Sequence, residues 1–86
     1  MFNPTPYHML GFSTGKADVE MVGRMVEPDH QVRTNARRLL NNPRVQDLGA
    51  AIESYLSGYH DGVAFGRGTL DEYRSKGYRR AFGGEA

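Results

Sequence analysis

Cysteine and tryptophan are absent from the 86 residues, and lysine occurs only as Lys16 and Lys76. Without cysteine there is no disulfide and no thiolate zinc centre, which leaves oligomerisation as the common remaining way to stabilise so small a core. Neither basic nor acidic residues dominate, 11 against 10, so no global field steers the protein towards nucleic acid or anionic lipid. A membrane span needs a run of roughly 18 apolar residues. Glu53, His60, Asp61 and Arg67 break the one segment that approaches it, so no membrane role is expected. Apolar and polar residues nowhere alternate with a period of two, and no low-complexity tract or linker divides the chain. These absences predict one all-α domain over residues 1–86. Met1, Phe2, Asn3 and Pro4 lack the basic start and apolar run of a secretory signal, so the expected location is cytoplasmic.

What the chain does have is an apolar stripe at unbroken helical spacing. Val45, Leu48, Ile52, Tyr55, Tyr59 and Val63 recur every three or four residues, with Arg44, Gln46, Asp47, Glu53, His60 and Asp61 between them. The spacing predicts a long amphipathic helix over 43–67, with Asn42 as its cap and Pro43 in its first turn. Gly58, Gly62 and Gly66 share one side of it, and Gly49 lies about two turns before Gly58. Each glycine costs roughly 1 kcal/mol against alanine in a helix interior. Either another backbone approaches closely there, as in small-residue helix contacts, or the helix frays and the glycines belong to a loop. A second copy packed antiparallel across a two-fold axis would use the glycines and cover the stripe, so a homodimer through Ile52, Tyr55, Gly58, Tyr59, Gly62 and Gly66 is expected.

Shorter segments surround this helix. Pro4 and Pro6 predict an extended arm over 1–12. Ser13 or Thr14 then caps a helix over 15–27 with Val19, Val22 and Val26 as its apolar positions, Met21 and Met25 beside them, and Pro28 as its end. A helix over 30–41 follows, capped by Asp29, with Val32, Ala36, Leu39 and Leu40 inward and Arg33, Arg37 and Arg38 outward. Thr69 and Glu72 form a capping box for a fourth helix over 70–82, and residues 83–86 read as a flexible tail. The expected fold is a small bundle of about four helices.

Candidate chemistry is sparse. Gly11 and Lys16 sit in a run that resembles a phosphate-binding loop, but it is one residue short and Ala17 replaces the magnesium-binding hydroxyl. His8, His30 and His60 fall in three separate segments without ligand spacing, so no metal is expected. Ser57, His60 and Asp61 lie within one turn, where the base of a triad would need to come from another element; they read as an exposed polar turn. Asp18, Glu20, Glu27 and Asp29 read as a solvated face and helix-start charges. No catalytic residue, cofactor or enzyme activity is expected.

Two arginine groups remain. Arg33, Arg37, Arg38 and Arg44 gather near the second interhelical connection as a basic patch. Arg74, Lys76, Arg79 and Arg80 alternate with Tyr73 and Tyr78 towards the C-terminus, and tyrosine with arginine is the composition of protein-interface hot spots. The expected function is a small non-enzymatic protein-binding module, with the general look of a bacterial or bacteriophage accessory or inhibitor protein that binds a larger macromolecular complex. The alternative is nucleic-acid or nucleotide binding by the same arginines, with the aromatics stacking on bases.

Overall fold

A computed structural model describes residues 5–70 as three helices: α1 (Pro6–Glu20), α2 (Asp29–Leu40) and α3 (Leu48–Gly66). No strand occurs among these residues, in agreement with the all-α expectation, and none of their helices is long and apolar enough to cross a membrane. The expected fourth helix beyond its first residue, Leu70, the flexible tail and the aromatic-basic group Tyr73, Arg74, Lys76, Tyr78, Arg79 and Arg80 lie outside the described residues.

The first helix corrects the expected arm. Thr5 adopts an extended backbone and its Oγ1 accepts a hydrogen bond from the His8 N–H at 3.1 Å, while Pro6 occupies the first turn. Proline costs nothing there, because its missing N–H would have no intrahelical partner. Ser13 and Thr14, the expected caps, are interior helical residues. At the other end α1 stops at Glu20 rather than near residue 27. The Arg24 N–H donates to the Met21 carbonyl across a turn, and Gly23 supplies the positive φ of 86° that the turn requires. Val22 and Val26 consequently leave the helical stripe and are exposed with Met21 and Met25.

The second helix lies within a residue of its expected bounds, except that Asp29 is its first residue and Pro28 its cap. Val32, Ala36 and Leu40 are buried as expected, while Leu39 points outward. The third helix starts later than expected because Asn42 turns its side chain to the Arg44 N–H, 2.9 Å, closing a local turn instead of capping a helix. Asp47 takes the cap, accepting from the Ala50 N–H at 3.0 Å.

Among the described elements, α1 and α2 both pack on α3 and not on each other. His8 of α1 lies against Gly58 of α3, Phe12 against Gly62 and Val19 against Gly66, so the two helices run in the same direction. Arg33 meets Glu53 while Asp29 meets His60, so α2 runs the opposite way. Ile52, Tyr55, Leu56, Tyr59 and Val63 of α3 join Val32, Ala36 and Leu40 in one core.

The glycines explain the contact with α1. A Cβ on Gly58 would collide with the His8 carbonyl, and one on Gly62 with the Phe12 carbonyl; reciprocally, Gly11 faces the Tyr55 carbonyl and Gly15 the Tyr59 carbonyl. Close approach is therefore the correct reading of the α3 glycines, but the backbone that approaches is α1 of the same chain. The face expected to bind a second copy is filled from within. Gly49 takes no part, its nearest neighbour being Asp47 Oδ1 at 3.6 Å.

Candidate functional site

The turn that ends α1 sends residues 21–28 across one end of Tyr55 and Tyr59. Tyr59 Oη accepts from the Glu27 N–H at 2.9 Å and donates to Asp18 Oδ2 at 2.7 Å, tying the connection to both α1 and α3. Burial, and then the bond to Asp18, hold the Tyr59 phenol in its neutral form by raising its pKa well above the ordinary 10.0. Arg24 reaches back to Asp18 Oδ1 at 3.2 Å, and Asn35 Nδ2 donates to Glu27 Oε1 at 3.1 Å. Tyr55 Oη donates to Thr14 Oγ1 at 3.0 Å. These groups, with Val32, Gly23 and Met25, enclose a partly open cavity of about 440 Å³.

The connection also turns apolar side chains to solvent, Met25 at the cavity's edge and the others outside it. Val22 is fully exposed and Met25 79% exposed, with Met21 at 55% and Val26 at 37%. The sequence placed Val22 and Val26 on a helical stripe with Met21 and Met25 beside it. The signal that would have moved them is Gly23, placed in the middle of their stripe where a helix interior does not favour it.

Chemical groups singled out in the sequence are distributed differently. Gly11 and Lys16 are within α1, so their run forms no phosphate-binding loop. Ser57 and Asp61 do not form an exposed turn: both are buried, Asp61 completely, and His8 from α1 reaches Asp61 with Nε2 to Oδ2 at 3.1 Å. A histidine from a separate element thus meets an aspartate one helical turn from a serine. The trio lies under the α1–α3 contact, where the hydroxyl is closed to a substrate, and the histidine–aspartate pair joins the two helices. His60 instead bridges to Asp29 at 2.7 Å. Among the described residues no three histidine, aspartate or glutamate side chains gather where a metal could be held.

The acidic residues have partners as well as solvent. Asp18 is nearly buried beneath Tyr59, Glu20 pairs with Lys16 at 2.9 Å, and Asp29 occupies the first turn of α2. In the basic group, Arg33 holds Glu53 through two bonds of 2.9 and 3.1 Å, which keeps its guanidinium pKa above the ordinary value. Arg37, Arg38 and Arg44 are exposed, without an acidic partner among the described residues.

No family model, curated protein or solved structure matches this chain. Its functional reading rests on the geometry alone.

Proposed function

We propose that the protein is a small non-enzymatic helical module that binds another protein through the connection between α1 and α2, adapting or inhibiting a larger assembly. The observation that carries this reading is the ridge of Met21, Val22, Met25 and Val26, four apolar side chains exposed within six residues. Leaving such area in water forgoes about 25 cal/mol for every Å² that could be buried, and contiguous apolar surface on a small protein marks a contact site. The two methionines add adaptability, since the unbranched thioether fits irregular partner surfaces. The connection is also held in place, by Tyr59 on Glu27 and Arg24 on Asp18, so the ridge is presented on an ordered base.

The test is affinity capture from the source cell with the wild-type chain and with Val22→Asp combined with Met21→Asp. Both side chains are exposed, so stability should change by less than about 0.5 kcal/mol for each substitution. A protein retained reproducibly by the wild type and lost by the variant is the expected result. Equal retention by both, or no retained protein, overturns the proposal.

A second reading has its own observation. Arg37, Arg38 and Arg44 lack acidic partners among the described residues and could contact phosphates, whereas Arg33 is already engaged by Glu53. Oligonucleotide binding of this kind would weaken steeply with salt, the logarithmic slope following the number of phosphates contacted. A flat titration at low salt removes it.

A further inference from the structure

The cavity beneath the connection has a charge pattern that selects a ligand class. Its charged lining comprises Asp18 from α1 and Arg24 and Glu27 from the connection, one cation against two carboxylates. Asp18 takes both the Tyr59 hydroxyl and the Arg24 guanidinium, whereas Glu27 has only the Asn35 amide on Oε1 and no cationic partner among the described residues. Met25 supplies exposed apolar wall, and the nearly buried Val32, Tyr55 and Tyr59 complete the lining. A volume of about 440 Å³ falls within the range of roughly 300 to 1,000 Å³ usual for small-ligand sites.

Arg24 is the second observation, because it is a cation of the chain already standing in the site. It extends from the connection to a nearly buried carboxylate, makes one 3.2 Å contact and keeps about half its own surface in water. With half its surface in water and a single contact, the guanidinium can leave Asp18 to a competing cation. A ligand that brought its own positive charge would replace Arg24 on Asp18 or sit beside it on Glu27, with its stem against Met25.

We propose that the cavity lined by Asp18, Glu27, Tyr55 and Tyr59 binds an alkylammonium or guanidinium group, with Arg24 as its internal competitor. Glu27 supplies the open carboxylate, Asp18 the one that Arg24 shares, and Met25 receives the methylene stem. The same chemistry is found in free polyamines and in the lysine or arginine side chain of a peptide. Neither source requires the outer ridge: Val22→Asp, which alters the ridge without lining the cavity, should leave this binding unchanged even where it abolishes capture of a protein.

The experiment is a titration followed by amide NMR at low ionic strength, with spermidine and agmatine as free cations, a blocked Leu-Arg-Leu peptide as the side-chain form, and 1,4-butanediol as the neutral control. Saturable shifts at Gly23, Arg24 and Glu27 with a cationic probe and none with the diol are expected. Response to the free cations assigns a small-molecule ligand, and response to the peptide alone assigns a protein side chain. Glu27→Gln keeps an oxygen for Asn35 and removes the charge, and should weaken binding about tenfold or more. Arg24→Gln should tighten it several-fold. Absence of saturable binding by every cation, an equal response to the diol, or affinity unchanged by Glu27→Gln overturns the proposal. Should Glu27→Gln fail to fold, Arg24→Gln decides alone: affinity that does not rise overturns it.

Discussion

The two contacts that α3 makes are built from different materials. Against α1 it offers glycine, and the two backbones come together with Gly11 and Gly15 on one side and Gly58 and Gly62 on the other. Against α2 it offers side chains, with Val32, Ala36 and Leu40 facing Ile52 and Tyr55 and a rim of Arg33–Glu53 and His60–Asp29. The first contact tolerates almost no added atom; the second can adjust its rotamers and solvate its rim. Parallel α1 and α3 also place their dipoles side by side in the same sense, which does not favour the pair, whereas antiparallel α2 complements α3. Close packing and the buried His8–Asp61 pair therefore carry the α1 contact.

The largest test of this contrast is Gly62→Leu. Its side chain would run into the Phe12 carbonyl and the Lys16 N–H, backbone atoms that cannot rotate away. Overpacking commonly costs about 1 to 3 kcal/mol where side chains can shift. Here the cost should exceed that and abolish the cooperative thermal transition seen by circular dichroism. Gly49→Ala on the same helix should have the opposite sign, since its Cβ would meet only Asp47 Oδ1 at an ordinary contact distance of 3.6 Å and alanine is favoured in a helix by up to about 1 kcal/mol. A Gly62→Leu protein that melts like the wild type would mean that the helices do not approach closely.

Tyr59→Phe comes next, because this side chain belongs to α3 yet serves both the α1 side, through Asp18, and the connection, through the Glu27 N–H. Loss of the hydroxyl leaves Glu27 N–H without that acceptor and should cost about 1 to 2 kcal/mol in denaturant unfolding. The same residue sets a pH dependence. Its folded pKa is raised, so the folded state retains a proton that the unfolded chain gives up near pH 10.0; the stabilisation is complete below that value and declines as pH rises above it. Wild-type stability should fall across that window, and Tyr59→Phe should fall less. Absorbance of tyrosinate should show a late-ionising phase that is missing from the variant.

The smallest effect is expected at the α2 rim. Arg33→Ala removes a two-bonded contact to Glu53, but both side chains are about half exposed, and such pairs contribute about 0 to 1 kcal/mol. The melting temperature should move little and the difference should shrink in high salt. A loss as large as that from Tyr59→Phe would show that the rim, and not the apolar face, holds α2.

The sequence alone determined the features that depend on neighbours within a helical turn or two. The 3.6-residue stripe placed α2 and most of α3, and the roughly 1 kcal/mol that each interior glycine costs left two readings at Gly58 and Gly62, a closely approaching backbone or a loop. Thr5 with Pro6, and Gly23, also held local signals for the bounds of α1, but the same prolines support an extended arm and the same valines a longer helix. Gly11 and Gly15 repeat the spacing of four found at Gly58 and Gly62. Spacing identifies a face and not the face that meets it. Only the tertiary structure decided that α1 fills the α3 groove, that His8 reaches Asp61 across 53 residues, and that Tyr59 holds Glu27 and Asp18 together. The reason is physical: these contacts join residues far apart in the chain, and their stability depends on burial and on backbone approach, which no local periodicity records.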